Sequence, residues 1–189
     1  MEERTRDYRD PLDEAYTTVL ARYLRPGAAI LELEAARGNG AERLLCQRIP
    51  GLRFYVCVDL ARKLRENQRT ENDCLIADCR HLPFREHLFD LVHVTFPSRG
   101  DSLLYEDRLV GCTFASESVA SSLAGVTRVL KKDGYFVIFP FLEVQDAWQA
   151  RLEQECSRQG YRKARIPLLD GRYVAVFRCD HPEASVSDR

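Results

Sequence analysis

The residues best suited to chemistry stand where three apolar segments of the sequence end. The first segment is followed by residues 34–40, whose small side chains would let a ligand approach the backbone and a helix N-terminus. Asp59 ends the second segment, at about the separation from Gly38 at which an acid meets ribose hydroxyls in nucleotide-binding βαβ units. After the third, Asp78 could present a carboxylate and Cys79 a backbone N–H to an adenine edge. Together these positions predict a site for an adenosyl ligand.

Apolar runs alternate with helical patterns along the chain, as in an α/β protein. The runs are nearly continuously apolar, which is typical of parallel strands covered on both faces. Strands are predicted at residues 28–33, 54–58, 75–77, 89–96 and 135–142. Because the carboxyl ends of parallel strands meet at one edge of the sheet, this order brings the candidate residues together.

Helical spacing of apolar residues places helices between these strands. The first helix follows Pro11 and stops at Pro26-Gly27, the second stops at Pro50-Gly51, and residues 60–67 predict a polar helix or turn. A later helix carries the stripe Val119, Leu123, Val126 and Leu130 and is closed by Lys131-Lys132-Asp133-Gly134. The last helix is expected to start at Asp146 as its N-cap and to end at Gly160.

The end of the chain departs from this alternation. Residues 164–169 and 172–178 are strand-like and are separated only by Asp170-Gly171, a two-residue hairpin signal. The two strands are therefore expected to be antiparallel. Pro167 cannot donate a ladder hydrogen bond, which places its strand at a sheet edge.

The composition is that of one globular domain. A chain of 189 residues, 45% of them hydrophobic, predicts one domain over residues 11–179, with a charged segment at 1–10 and a polar tail at 180–189. The net charge of −1 offers no basic field for a nucleic acid, so such a partner is not expected. No apolar stretch approaches the roughly 20 residues of a membrane span, and no secretory signal is evident.

The seven cysteines form no C-x-x-C pair. An odd, scattered set of this kind indicates free thiols in a reducing compartment, which predicts a cytoplasmic protein. Cys74, Cys79 and His81 could in principle share a metal ion, but their spacing follows no recognised ligand pattern, so no metal site is expected.

Five short motifs follow one another in a defined order. They are RPGAAILEL at 25–33, VD at 58–59, ADCRHLPF at 77–84, FDLV at 89–92 and RVLKKDG at 128–134. In this order they resemble class I S-adenosylmethionine-dependent methyltransferases, especially small-molecule enzymes of the ubiquinone-biosynthesis type. The resemblance covers residues 12–178. It implies a Rossmann-like α/β fold, with a seven-stranded, mostly parallel sheet that ends in an antiparallel hairpin.

The resemblance implies S-adenosylmethionine as the cofactor and a role for each matching residue. Glu32 would be the acid behind the methionine end, the 34–40 loop would lie under the amino-acid portion, and Asp59 would hold the ribose. Thr95, after the fourth strand, would line the methyl-transfer side. The implied cofactor-binding residues are Glu32, Glu34, Ala36, Gly38, Asp59, Leu60, Asp78, Cys79 and Thr95.

Glu34 and Ala36 stand where the family usually has glycine. A carboxylate at position 34 would repel the methionyl carboxylate, by about 1 kcal/mol at about 4 Å in water. Two functions therefore stay open: methyl transfer to a small-molecule or protein side-chain acceptor, and a methyltransferase-like binding or scaffolding protein without turnover. A dehydrogenase is disfavoured because no G-x-G-x-x-G is present and the terminal hairpin fits badly.

Several of these residues also have a structural interpretation. The glutamates at 32 and 34 could pair with Arg37 or Arg25, Asp59 could cap a helix, and Asp78 could belong to an ordinary turn.

No catalytic base stands out from the sequence. His93 has the right intrinsic pKa for one, but it lies within a predicted strand, where a hydrogen-bonded sheet histidine is the expected role. Tyr16 and Trp148 are expected to be packing aromatics. Residues 97–116 form a long connection, either an acceptor-recognition lid or a surface loop. Residues 95–98 lack the signature of amino-directed methyltransferases.

Overall fold

The computed structural model describes residues 11–33, 41–59, 73–95, 104–105, 108–109, 119–142, 147–167 and 172–180. The helices are α1 (Pro11–Ala21), α2 (Ala41–Arg48), α3 (Val119–Val129) and α4 (Ala147–Arg158). The first strands are β1 (Ala29–Leu33), β2 (Phe54–Asp59), β3 (Asp73–Ile76) and β4 (Phe89–Thr95). After them come β5 (Leu104–Tyr105), β6 (Arg108–Leu109), β7 (Leu130–Leu142), β8 (Tyr161–Pro167) and β9 (Arg172–Cys179). A short 3-10 helix, Cys79–His81, follows β3.

Seven strands form one sheet in the order β3-β2-β1-β4-β7-β9-β8. The first five strands in this order, β3, β2, β1, β4 and β7, run parallel to one another. Strand β9 is antiparallel to both β7 and β8. This architecture confirms the predicted fold class. Pro167 lies on β8, an edge strand, as predicted. The strand order reverses between β1 and β4, which is where ligands bind in open α/β sheets.

The sheet is buried on both faces. One face packs on α1 and α2, with Tyr16, Leu20 and Leu45 in its core. The other packs on α3 and α4, with Leu123 and Leu152 in its core. Coverage on both sides explains why β1 is buried along its whole length. In the described part of the chain no helix is long and apolar enough to cross a membrane.

The predicted end of α3 is wrong. Leu130 and the following Lys131–Gly134 stretch lie in β7 rather than in or just after the helix. The carbonyls of Arg128 and Val129 accept hydrogen bonds from the backbone N–H groups of His87 and Leu88, so the segment before β4 draws the chain into the sheet as soon as the helix ends.

The added strand residues do not pair regularly. The partner of Phe89 is Leu130 and that of Leu91 is Tyr135, so the segment between them bulges from the ladder. Asp133 takes a positive φ of 63° within this bulge. Lysine, aspartate and glycine in this order fit a helix end as well as a bulge, which explains the incorrect prediction.

Asp90 fastens the amino ends of three neighbouring strands. Its Oδ2 accepts the backbone N–H of Ala29, on β1, at 2.8 Å. The Nζ of Lys131, on β7, donates to Oδ1 at 2.8 Å and to Oδ2 at 2.7 Å. Lys131 therefore pairs with a carboxylate on β4. Its sequence position had suggested instead that it lies at the C-terminal end of α3.

Candidate functional site

The candidate site lies at the carboxyl ends of β1, β2 and β4. Leu33, the last residue of β1, pairs with Val58 on one side and with Val94 on the other. Asp59 and Thr95 are the next residues on those two strands. They therefore flank the point at which β1 ends, and the structure brings together two residues that lie far apart in sequence.

Several predicted site residues lie outside the described residues. These are Glu34, Ala36, Gly38 and Leu60, together with most of residues 97–116. Their assigned roles, and the repulsion expected from Glu34, stay predictions. The start of α2 is described, and it follows directly on residues 34–40 in the sequence. Its first backbone N–H groups suit an anion such as a carboxylate.

Glu32 is buried in the sheet beside this edge, with 2% of its surface exposed. It pairs in register with Cys57 on β2 and His93 on β4. Its Oε2 accepts a hydrogen bond from the hydroxyl of Tyr55 at 2.8 Å and a weaker one from the Cys57 thiol at 3.6 Å. The carboxylate thus has hydrogen-bond donors within the protein, as a buried acid requires.

His93 is completely buried and bridges two tyrosines. Its Nδ1 lies 3.0 Å from the hydroxyl of Tyr16, and its Nε2 lies 2.7 Å from that of Tyr55. Burial lowers the pKa of His93 to about 3, so the ring is neutral at physiological pH. The prediction of a hydrogen-bonded sheet histidine is confirmed. A neutral ring with no exposed surface is not a general base for an external acceptor.

Tyr16 also packs as predicted, with its ring stacked on Phe139 at 4.9 Å between centroids. Its hydrogen bond to His93 was not anticipated, nor was any role for Tyr55. Burial, and secondarily the charge of Glu32, raises the pKa of Tyr55 well above its usual value. Tyr55 therefore keeps its proton and acts as a donor.

Asp78 forms the turn that the structural interpretation anticipated. It caps the 3-10 helix Cys79–His81 and accepts the backbone N–H of Arg80 at 2.9 Å. The guanidinium of Arg80 binds both carboxylate oxygens, with Nε at 2.9 and 2.8 Å. These hydrogen bonds lower the pKa of Asp78. A contact between Asp78 and adenine stays a prediction, and it would share the carboxylate with Arg80.

The turn after β3 is fixed to α3 at two points. The carbonyl of Cys79 sits against Gly125, and the guanidinium of Arg128 donates to the carbonyls of Leu82 and Phe84 at 2.5 and 2.6 Å. Cys79 has no exposed surface. A contact between the Cys79 backbone N–H and adenine stays a prediction, and the buried thiol is not expected to take part in it.

No metal site stands out in the described residues, where no three His, Cys, Asp or Glu side chains are grouped closely enough to hold an ion. Four of the cysteines there, Cys57, Cys79, Cys156 and Cys179, are buried and form no disulfide.

Comparison with known proteins places this geometry in a family. A model of the methyltransferase domain matches residues 33–138, more than half of the chain. The chain belongs to the methyltransferase domain family. The expected resemblance to class I methyltransferases is thus confirmed, whereas the ubiquinone-biosynthesis subtype stays a prediction. No curated protein matches the chain in sequence.

Solved structures share the fold of this methyltransferase-family chain over nearly its whole length. The PH0226 protein of Pyrococcus horikoshii is 20% identical, with a TM-score of 0.63 over 88% of this chain and 89% of that one. CalS10, an amino pentose methyltransferase of Micromonospora echinaspora solved with S-adenosylmethionine bound, is 12% identical, with a TM-score of 0.66 over 89% and 90%.

A third structure contains a methyltransferase bound to the Trm112 activator of Haloferax volcanii. The methyltransferase of that complex is 16% identical to this chain, with a TM-score of 0.59 over 90% of this chain and 94% of that one. At such identities these likenesses establish the fold. Together with the family match they support S-adenosylmethionine as the cofactor.

The chemistry of the edge fits that cofactor. S-adenosylmethionine carries an ammonium group, two ribose hydroxyls and an adenine amino group, all of which donate hydrogen bonds, and one carboxylate, which accepts them. Glu32, Asp59 and Asp78 are acceptors on or just after β1, β2 and β3. The amino end of α2 supplies donors. The donors and acceptors of the edge therefore match those of the ligand in kind.

Proposed function

We propose that the chain binds S-adenosylmethionine at the carboxyl edge of β1, β2 and β4 and transfers its methyl group to a small-molecule or protein side-chain acceptor. The observation that carries the proposal is the position of Asp59 and Thr95, one residue past the partners of Leu33 on either side of β1. A ligand lying across the end of β1 would meet both.

Each residue of the edge has a distinct part in this function. Asp59 accepts the ribose hydroxyls, and Glu32 serves the methionine end through a carboxylate held inside the sheet. Backbone groups of the loop that contains Glu34, Ala36 and Gly38 lie under the amino-acid portion. Leu60, Asp78 and Cys79 border the adenine. Thr95 faces the acceptor side.

The cofactor supplies an electrophilic methyl group on a sulfonium. The chain itself supplies binding and alignment, which are the main sources of rate when an acceptor attacks in line. His93 is neutral and enclosed, so it takes no proton from an acceptor. We therefore expect the acceptor to be a nucleophile that needs little assistance, or one deprotonated by a residue of the 97–116 segment.

The methyl site needs a cover, because water competes with the acceptor. Residues 1–10, residues 97–116 or a protein partner could provide it. The Haloferax methyltransferase bound to an activator protein shows that this fold can take a partner. Hydrogen exchange with and without cofactor tests the covering segments, which should gain protection when S-adenosylmethionine binds; no gain in any of them would contradict the idea.

The alternative, a scaffold that has lost turnover, rests on Glu34 and Ala36 at the usual glycine positions. The family match and the structural likenesses do not favour it. Isothermal titration with S-adenosylmethionine separates the two functions. Binding with a dissociation constant below about 1 mM is expected for the enzyme, and S-adenosylhomocysteine formed in the presence of a suitable acceptor pool would follow. No heat of binding at millimolar cofactor would contradict the proposal.

A further inference from the structure

A chain of hydrogen bonds runs through the apolar layer between the sheet and α1. It starts at the hydroxyl of Tyr16 on α1, passes through the ring of His93 on β4 and the hydroxyl of Tyr55 on β2, and ends at the carboxylate of Glu32 on β1. Each of these side chains is buried. The chain therefore connects the first helix of the domain to the acid beside the proposed cofactor site.

The direction of every hydrogen bond follows from its end point. The carboxylate of Glu32 can only accept, so the hydroxyl of Tyr55 donates its proton to Oε2. The oxygen of Tyr55 must then accept from His93, which requires a proton on Nε2. The other nitrogen, Nδ1, has no proton in a neutral ring and accepts from Tyr16. One tautomer of a neutral His93 thus satisfies all three bonds.

Such a chain is not needed for packing. Apolar side chains of similar volume could occupy the positions of Tyr55 and His93 without the cost of burying polar groups. A chain of buried hydrogen bonds, by contrast, holds its members in one arrangement. Glu32 is its terminal member, and Glu32 is the member that lies next to the end of β1.

We propose that Tyr55 and His93 are positioning residues that fix the carboxylate of Glu32 for the methionine end of the cofactor and link it, through Tyr16, to α1. This inference rests on the proposed function of Glu32. Removal of the Tyr55 hydroxyl leaves the acid in place but takes away the shorter of the two hydrogen bonds to its Oε2. Cofactor affinity should then fall even though the fold is retained.

The protein contains a matched control residue on the opposite face of the sheet. Tyr161 is also a buried tyrosine whose hydroxyl is hydrogen-bonded, 2.7 Å from the side-chain oxygen of Thr127. Tyr55→Phe and Tyr161→Phe remove the same atom from comparable surroundings. Titration with S-adenosylmethionine should show about tenfold weaker binding for Tyr55→Phe, as for loss of one hydrogen bond to a charged group. Tyr161→Phe should stay within about twofold of wild type.

Two results would overturn the inference: wild-type affinity in Tyr55→Phe, or an equal loss in Tyr161→Phe. Should Tyr55→Phe fail to fold, Tyr16→Phe tests the far end of the same chain. It should weaken binding by a smaller factor of about three, because the bonds from His93 to Glu32 stay in place. Unchanged affinity in that variant would contradict the link to α1.

A measurement without cofactor separates this inference from the proposed function. Nitrogen-15 spectra of the imidazole in the ligand-free protein should show His93 protonated on Nε2 alone, and Glu32→Gln should increase amide exchange in α1 more than in α4. A proton on Nδ1, or equal effects on both helices, would contradict the proposed chain of hydrogen bonds from Tyr16 to Glu32. If the wild type binds no S-adenosylmethionine, the proposed function fails, whereas these two readouts still decide whether Glu32 and α1 are linked.

Discussion

The carbonyl oxygen of Cys79 touches the α-carbon face of Gly125 so closely that a Cβ placed on Gly125 would lie 2.1 Å from it. Real Cβ atoms do not approach a backbone oxygen this closely. Helix α3 can therefore rest on the turn after β3 only because residue 125 has no side chain. The turn that carries Asp78 and Cys79 takes its position from this contact.

Gly125→Ala should destabilise the protein despite the better helix propensity of alanine. Alanine gains about 1 kcal/mol in a helix, but the contact forces α3 from the turn at a cost of the order of overpacking, about 2–3 kcal/mol or more. A net loss of at least about 1 kcal/mol is expected in urea unfolding. Gln154→Ala, at an exposed position of helix α4, should be neutral or slightly stabilising. A Gly125→Ala protein as stable as the wild type would refute the close contact.

Arg128 is the second anchor of the same turn. Arg128→Met should cost about 1.5–3 kcal/mol of unfolding free energy, because the carbonyls of Leu82 and Phe84 lose a charged donor. Arg158→Met removes a guanidinium that is well exposed and paired with Glu155, so its cost should be under about 0.5 kcal/mol. Hydrogen exchange should rise around residues 79–84 in the first variant alone. Equal costs in the two variants would contradict an anchoring role for Arg128.

His93 gives stability a defined dependence on pH. Its folded-state pKa of about 3 lies below the ordinary value of 6.5, so between these values the unfolded chain binds a proton that the folded protein does not. Stability from this residue is therefore complete above about pH 6.5 and is lost as the pH falls, by about 1.4 kcal/mol per unit.

The comparison to make is between wild type and His93→Gln from pH 6.5 to 4.5, where most carboxylates of an unfolded chain stay ionised. The wild-type unfolding free energy should fall more steeply than that of the variant, by about 1.4 kcal/mol per unit. Parallel curves would show that His93 is charged or accessible in the folded protein.

Much of the fold could be predicted from local patterns. Continuous apolar runs marked the parallel strands, and Asp170-Gly171 with Pro167 placed an antiparallel hairpin at the sheet edge. The bulge at the start of β7 could not be predicted, because its position depends on the backbone bonds of His87 and Leu88, which lie far away in sequence.

The site was predictable to a smaller extent. Asp59 and Thr95 are the last residues of apolar strands, and the rule for parallel sheets brings such positions to one edge. The contact of Tyr55 with Glu32 depends on the register of β1 and β2, which nothing local specifies. Tyr16 reaches His93 only because α1 packs on that face of the sheet.

Substitution of Glu34 tests whether its carboxylate weakens or strengthens cofactor binding. If its carboxylate repels that of the methionine portion, Glu34→Gly should tighten cofactor binding, by roughly fivefold for about 1 kcal/mol. If it contacts the ammonium group instead, the same change should weaken binding. Ala36→Gly, which changes no charge in the same loop, is the control for backbone flexibility. Equal affinities in wild type and Glu34→Gly would show that the residue does not face the ligand.

The most direct test of the proposed site is the affinity of Asp59→Ala for S-adenosylmethionine, measured by isothermal titration beside the wild type. Loss of an acceptor for two ribose hydroxyls should weaken binding by roughly 1.5–3 kcal/mol, or about tenfold to over a hundredfold, with folding largely intact. Glu155→Ala removes an equal charge from α4 and should leave the affinity unchanged. A wild type that binds the cofactor while Asp59→Ala binds it equally well would show that the site has been placed wrongly.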